Sequence, residues 1–217
     1  MTPLRARLDH ATEARRLLDH PFYKAWAAGT LTTDDLAFYA GQYWRQVEAF
    51  PSYLETIAAR VPEGATKDAI LANLADERDD DHPGLWLDFA AALGSDRAAV
   101  AGAVPEPETT ACIEAFTSAA ADASPEFALG MLYGYESQTP AVAETKVTGL
   151  KEHYGIEGSG LTYFELHGEL DVQHSAEMSG AISALEGDGS DAEAGARAGA
   201  EAIWTLLDGV ARARSIC

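Results

Sequence analysis

The chain has 217 residues, a formal charge of −20 at pH 7 and 47% hydrophobic residues. That length suits one domain, residues 1–217, burying about 70% of the surface the unfolded chain exposes. The acidity, with a pI near 4.4, excludes a binder of nucleic-acid phosphates or of anionic membranes, since both need a basic patch.

Only four lysines, Lys24, Lys67, Lys146 and Lys151, stand against 35 acidic residues. That imbalance fits solubility in high salt, and so a halophilic setting. The opening run MTPLRARLDHATEARR has no apolar signal region, and no later run is long enough to span a bilayer. Two cysteines, Cys112 and Cys217, make no disulfide framework, so the expected compartment is a reducing cytoplasm.

In chain order the pattern reads as helix after helix. Breakers at His20-Pro21, AAGTLTTDD, VPEGAT, HPG, VPEPETT, SPE and GIEGSG separate runs such as SYLETIAARV and AILANLADE, whose apolar residues recur at three and four. Thr33 and Thr66 are expected N-caps for the segments that follow them. No run alternates with a period of two. The polar, Gly-rich EGDGSDAEAGARAG reads as a loop before a last helix, AEAIWTLLDGVARAR. The expected architecture is all-α, one bundle of seven to eight helices without internal repeats. Trp26, Trp44, Trp86 and Trp204 are expected in the core. Cys112 is expected to be buried and inert, and His10, His20 and His153 to be surface or capping residues.

Three segments carry groups that a bundle core does not ordinarily tolerate. In LANLADERDDDHPGLW, Glu77 follows an apolar helical face and His82 precedes Pro83. Five residues on a regular helix put Glu77 and His82 about 140° apart. They meet only if the helix is widened by a π-bulge or broken, and Pro83 disfavours helical geometry at His82. Asp76 and Asp81 are rival carboxylates in the same run. In FALGMLYGYESQTPAVA, Glu136 is the one charged residue from Phe127 to Ala143. Burying it unpaired costs several kcal/mol unless it is protonated or coordinates a cation. Pro140 should kink or end that helix.

In HGELDVQH, offsets of four and seven residues leave His167, Asp171 and His174 within about 60° of one another on a helix. Tyr163 lies one turn earlier on the same stripe, and Phe164, Leu170 and Met178 recur near it. Together the three segments offer Glu77, His82, Glu136, His167, Asp171 and His174. Three carboxylates and three imidazoles suit two divalent iron or manganese ions with positions left open. The paired Glu-x-x-His motif of ferritin-type sites is absent.

The stretches HPFYKAWAAGTLTTDDLAFYAGQYW, NLADERDDDHPGLW, YGYESQTPAVAETKVTGLKEHYG and FELHGELDVQH resemble the chlamydial death-domain-associating (CADD-like) family of haem-oxygenase-like dimetal oxidases. That group is related in fold to the thiaminase II (TenA) and PqqC proteins, and the resemblance runs from about residue 15 to 185. It implies a seven-helix haem-oxygenase-like bundle, usually a homodimer. It also implies a dinuclear site of iron, or iron with manganese, with dioxygen and a reductant as co-substrates. Its metal ligands fall on the same six residues, although the family's Glu-to-His spacing in the first block is slightly longer. The activity it implies is synthesis of p-aminobenzoate for folate-type cofactors. The ring would come from the protein's own tyrosine, matching Tyr23, and Lys146 is implicated as the amino donor. Tyr39, Tyr135 and Tyr163 match further family tyrosines. The alternatives are an oxidase of the same fold acting on a small external substrate, a thiaminase-II-like hydrolase, and a non-enzymatic interaction protein with a paired polar core.

Overall fold

The computed structural model describes residues 3–217, which form α-helices and two short 3-10 turns with no strand among them. Helix α1 (Leu4–Thr12) is followed by the two turns, Glu13–Arg15 and Leu17–Asp19, and then by α2 (Pro21–Ala27) and the long α3 (Thr33–Ala58). Helices α4 (Ala65–Asp79), α5 (His82–Ala92), α6 (Arg97–Ala101) and α7 (Pro107–Asp122) come next. The C-terminal half contains α8 (Pro125–Glu136), α9 (Thr139–Tyr154), α10 (Ser159–Ser183) and α11 (Ser190–Arg214). The described residues thus hold eleven helical segments, more than the seven to eight expected. The excess has a physical origin. Helices α5 and α9 each restart after a break with a proline in their first turn, and α1 and α6 are short helices of nine and five residues. The all-α architecture holds.

Local chemistry explains the boundaries and corrects some of them. The cap of α3 is Thr32, one residue before the expected Thr33. Its hydroxyl accepts from Asp35 N at 3.1 Å while Thr32 N donates to the Asp35 carboxylate at 2.9 Å, a capping box. Helix α4 starts after Gly64. Thr66 is buried inside it and donates to the Ala181 carbonyl at 3.0 Å. His20 does cap α2, its Nδ1 accepting from Phe22 N at 3.0 Å, but it is fully buried and not a surface residue. Trp204 is only half-buried, with its ring against His20 at 4.7 Å, whereas Trp26, Trp44 and Trp86 are core residues.

The expected Gly-rich loop is the largest correction. Residues 190–199 of that stretch are helical, because two of its glycines are packing contacts and not breakers. A Cβ on Gly195 or Gly199 would lie 2.1 Å from the carbonyl oxygen of Phe127 or Met131. A Cβ on Gly130 or Gly134 would lie 2.2 or 2.1 Å from that of Ala192 or Ala196. Two four-residue glycine spacings therefore let α8 and α11 touch backbone to backbone. This contact fixes the α8 rod whose last residue is Glu136. Helix α10 packs on α4, α5, α8 and α9. Among the described residues, no helix is long and apolar enough to cross a membrane.

Candidate metal centre

The break between α4 and α5 solves the spacing problem of Glu77 and His82. Helix α4 ends at Asp79, and Asp81 takes a left-handed conformation, φ 49°, that aspartate tolerates better than most residues. Asp81 caps α5 by accepting from Gly84 N at 3.2 Å, and Pro83 sits in the first turn. The chain adopts the broken turn rather than a π-bulge. Glu77 Oε2 and His82 Nδ1 come to 2.8 Å. Asp81, a rival carboxylate in the sequence, is occupied as a cap.

The second break serves Glu136. It closes α8, and α9 restarts at Thr139 with Pro140 in its first turn. Gln138 bridges the gap, accepting from Leu17 N at 2.8 Å and donating to the Gly134 carbonyl at 3.1 Å. Helix α10 runs unbroken past both, and His167, Asp171 and His174 all lie buried along it.

These six side chains form two groups. Glu77, His82 and His167 offer ligand atoms within 4.8 Å of one another, and so do Glu136, Asp171 and His174. All six are buried. Between them lies a void of about 10 Å³ lined by Val47, Phe50, Glu77, Tyr135, Glu136, Tyr163, His167 and Asp171, space for about one water-sized molecule.

Whether the residues fit two cations is decided by their unmet polar atoms. Both ring nitrogens of His82, Glu136 Oε2 and His174 Nδ1 are buried without a hydrogen-bond partner among the described residues. Each such atom costs about 1–3 kcal/mol. The His82–Glu77 pair is close yet lacks hydrogen-bond geometry, so the lone pairs converge on a shared space. The outward nitrogens of the α10 histidines are held in the way metal-ligating histidines are held. His167 Nδ1 donates to the Tyr163 carbonyl at 2.7 Å, leaving Nε2 for the site. His174 Nε2 meets the half-exposed Asp76 carboxylate at 3.1 Å, leaving Nδ1. Asp76, the other rival, thus backs a histidine from outside. The donor set fits two divalent first-row metals.

Burial and neighbouring charge set the proton inventory of the metal-free site. Burial, with His82 alongside, holds His167 down to about 3, so its imidazole is neutral. Burial, with Asp171 alongside, pushes Glu136 up, against the opposing pull of His174 and Asn73. Burial also raises Asp171. For His174 burial works against the charged form, but Asp171, Glu136 and Asp76 outweigh it and carry the group up to about 9. The chain alone therefore compensates part of its buried charge with protons that cations would displace.

Sequence reading missed Asn73, which donates to Glu136 Oε1 at 2.8 Å. Its position one turn before Glu77 on α4 was the available signal. It also missed Tyr43, whose hydroxyl donates to that of Tyr135 at 3.0 Å and whose ring stacks on Trp86 at 5.0 Å.

The matched tyrosines and lysine lie in an adjoining aromatic layer. Tyr163 stacks on His167 at 4.0 Å, and Tyr135 lines the void. Lys146 is buried, and its amine donates to Tyr39 at 2.8 Å. The rings of Tyr23, Trp26, Tyr39, Tyr43, Trp86 and Phe164 stand 5.0–5.9 Å from that nitrogen. No carboxylate lies within ion-pair distance of it among the described residues, and burial brings Lys146 down to about 7. Tyr23 and Tyr39 place their hydroxyls 3.4 Å apart.

The model for iron-containing redox enzymes of the haem-oxygenase-like group matches residues 37–208. The 4-aminobenzoate synthase of Nitrosomonas europaea is 33% identical to this chain, over 94% of it and 89% of the relative. That of Chlamydia muridarum is 35% identical, over 85% of this chain and 80% of the relative. Among solved structures, a CADD-like protein of unknown function from Nostoc punctiforme aligns with a TM-score of 0.76 and 18% identity, covering 97% of this chain and 99% of its own. The chain belongs to the iron-containing redox enzymes with a haem-oxygenase-like fold.

Proposed function

We propose that this chain, one domain over residues 1–217, is a dimetal oxygenase that makes p-aminobenzoate (4-aminobenzoate) from its own Tyr23, with Lys146 supplying nitrogen. The observation that carries the reading is the pairing of two three-ligand groups holding orphaned lone pairs with a void of about 10 Å³. The smallness of that void supports an internal ring over an external substrate. The curated relatives named as 4-aminobenzoate synthases point the same way.

In this reading Glu77, His82 and His167 hold one divalent metal and Glu136, Asp171 and His174 the other, as iron with iron or iron with manganese. Bound metals would supply one-electron chemistry with dioxygen, given an external reductant. The chain's own residues do the rest. The Tyr163 carbonyl and Asp76 hold protons on the far nitrogens, so His167 presents a neutral Nε2, and His174 would present Nδ1 once a bound cation displaces its second proton. Asn73 holds one oxygen of Glu136, so its partner oxygen faces the site. The closed aromatic layer keeps water from the oxidised ring. Lys146, brought down to about 7 by burial, is available as a neutral amine close to the Tyr23 ring. A thiaminase-II-like nucleophile has no support, since Cys112 is buried on α7 and its thiol is pushed up by burial, while Cys217 is exposed. The same reading assigns a reducing cytoplasm, consistent with two unpaired cysteines, and a homodimer, which light scattering checks.

The test is product formation by purified protein given iron, or iron with manganese, plus reductant and oxygen. The expected yield is at most about one p-aminobenzoate per chain, because a consumed residue is not regenerated. Tyr23→Phe should abolish it. Product from Tyr23→Phe at the wild-type level would overturn the self-substrate reading.

A further inference from the structure

All six ligand residues are buried, and so is every side chain around the void between them. A cation that reaches them after folding needs a way through the protein. One place offers it. A second crevice runs between α4 and α10, lined by Ala69, Ile70 and Asn73 on the first helix and by His174, Glu177 and Met178 on the second. Of the six ligands, His174 alone lines it. Ala69 and Glu177 are partly exposed, so the crevice reaches the surface there. Its inner end is Asn73, which is buried. Asn73 Nδ2 donates to Glu136 Oε1 at 2.8 Å, but Asn73 Oδ1 has no hydrogen-bond partner among the described residues. An unmet buried acceptor costs about 1–3 kcal/mol, and holding Glu136 uses only the other atom of the amide. A carbonyl oxygen is a ligand type that hard divalent cations take. The charge around the crevice has one sign. Glu177 stands at its outer end, the half-exposed Asp76 carboxylate lies 3.1 Å from His174 Nε2, and no lysine or arginine lines it.

We propose that this crevice is the entrance through which divalent cations load the buried centre, with Glu177 as the collecting carboxylate and Asn73 Oδ1 as the inner stepping ligand. The inference rests on the metal-binding part of the function proposed above. Glu177 raises the local concentration of cations at the mouth. Asn73 Oδ1 replaces water on the ion as it enters, and Glu136, already bonded to the same amide, receives it beside Asp171 and His174. Each handover moves toward a richer donor set, ending on one that includes an imidazole. The crevice leaves about 0 Å³ for a water-sized molecule, so it is a closed seam and not an open channel. Two flexible side chains, Glu177 and the thioether of Met178, form its α10 wall, and their displacement opens it. The seam thus lets ions pass singly while the bundle stays folded and its centre stays dry.

The test measures rates of metal transfer, without oxygen and without turnover. Full-length metal-free protein is mixed with iron(II) held by a coloured indicator, and uptake is followed by stopped flow. Release from the loaded protein is followed by transfer to excess chelator. Wild type, Glu177→Gln, Ala69→Leu and Glu114→Gln are compared. Glu177 accepts from the Gln173 amide at 2.7 Å and touches none of the six ligands, whereas Asp76 contacts His174 and is left unchanged. Glu177→Gln should take up iron about tenfold more slowly at low salt, the lower end of what electrostatic focusing contributes, and the gap should close as salt is added. Two ions per chain should still bind, with affinity near wild type, so release must slow by the same factor. Ala69→Leu narrows the mouth from the opposite wall and should slow both directions at any salt. Glu114, exposed on α7 and away from the seam, should be replaceable without effect. Wild-type uptake rates in either seam variant, or equal slowing in Glu114→Gln, overturn the entrance and leave the proposed function standing. So does a Glu177→Gln protein that binds iron more weakly at an unchanged uptake rate, since Glu177 would then act on the bound ion and not on its passage. Wild-type protein that takes up no iron overturns both.

Discussion

Replacing Lys146 with methionine should make the protein more stable, and the gain should shrink as pH rises. The amine is fully buried with no carboxylate beside it, and burial brings it from 10.5 to about 7. At about 1.4 kcal/mol per pH unit, that displacement corresponds to about 5 kcal/mol against the charged form. Six surrounding rings favour an ammonium, but a desolvated cation–π contact returns only about 2 kcal/mol, so desolvation wins and the folded chain holds a neutral amine above about pH 7. The unfolded chain keeps its proton up to 10.5. Between those values the unfolded state binds more protons, so this group's destabilising effect is relieved as pH rises. At pH 8 the penalty is about 3 kcal/mol, and losing the hydrogen bond to Tyr39 gives back about 1. Lys146→Met should therefore gain about 2 kcal/mol at pH 8. That difference should fall by about 2–3 kcal/mol between pH 7.5 and 9.5. Urea unfolding of both proteins across that range, with unchanged slopes, measures it. A loss of stability at pH 8, or a difference independent of pH, would refute the neutral-amine reasoning and show that the aromatic cage holds an ammonium.

Three further outcomes follow from the geometry. Gly134→Ala puts a Cβ 2.1 Å from the Ala196 carbonyl, and overpacking of about 1–3 kcal/mol should lower the thermal midpoint by about 2–12 °C; an unchanged midpoint would mean that α8 and α11 are not in backbone contact. Asn73→Ala frees one oxygen of Glu136 and should weaken metal binding about 10–100-fold, read by competition with a chelator, while two ions per chain still bind at saturation. Metal uptake should release protons, because His174 stands raised to about 9 and Glu136 and Asp171 are also raised in the metal-free chain. Affinity should accordingly fall as pH falls, and calorimetry in buffers of different ionisation heat reads the proton count.

The legibility of this fold varied with how regular each segment is. His167, Asp171 and His174 could be placed on one face from sequence alone because α10 runs unbroken through them. Glu77 and His82 could not, since five residues of ideal helix separate their directions. Only Pro83 hinted at the break that Asp81 completes by adopting a positive φ. Glycine carried two meanings that composition does not separate: Gly64 and Gly189 precede helices, whereas Gly195 and Gly199 sit within one and permit close packing. Adjacent threonines at 32 and 33 offer equivalent caps, and the choice falls to Asp35, which reciprocates only with Thr32. Asp76 was visible as an acid, but its role behind His174 depends on how α4 meets α10. Tyr43 and Trp86 read as ordinary core aromatics, and only the packing of α3 against α5 reveals the phenol chain.

The central claim is that two cations draw these six side chains together. A crystal of the protein grown with iron, measured at the iron absorption edge, tests it directly. The account predicts two anomalous peaks per chain, one bound by Glu77, His82 and His167 and the other by Glu136, Asp171 and His174. Absence of both peaks at full iron loading, or iron held at other residues, would contradict it.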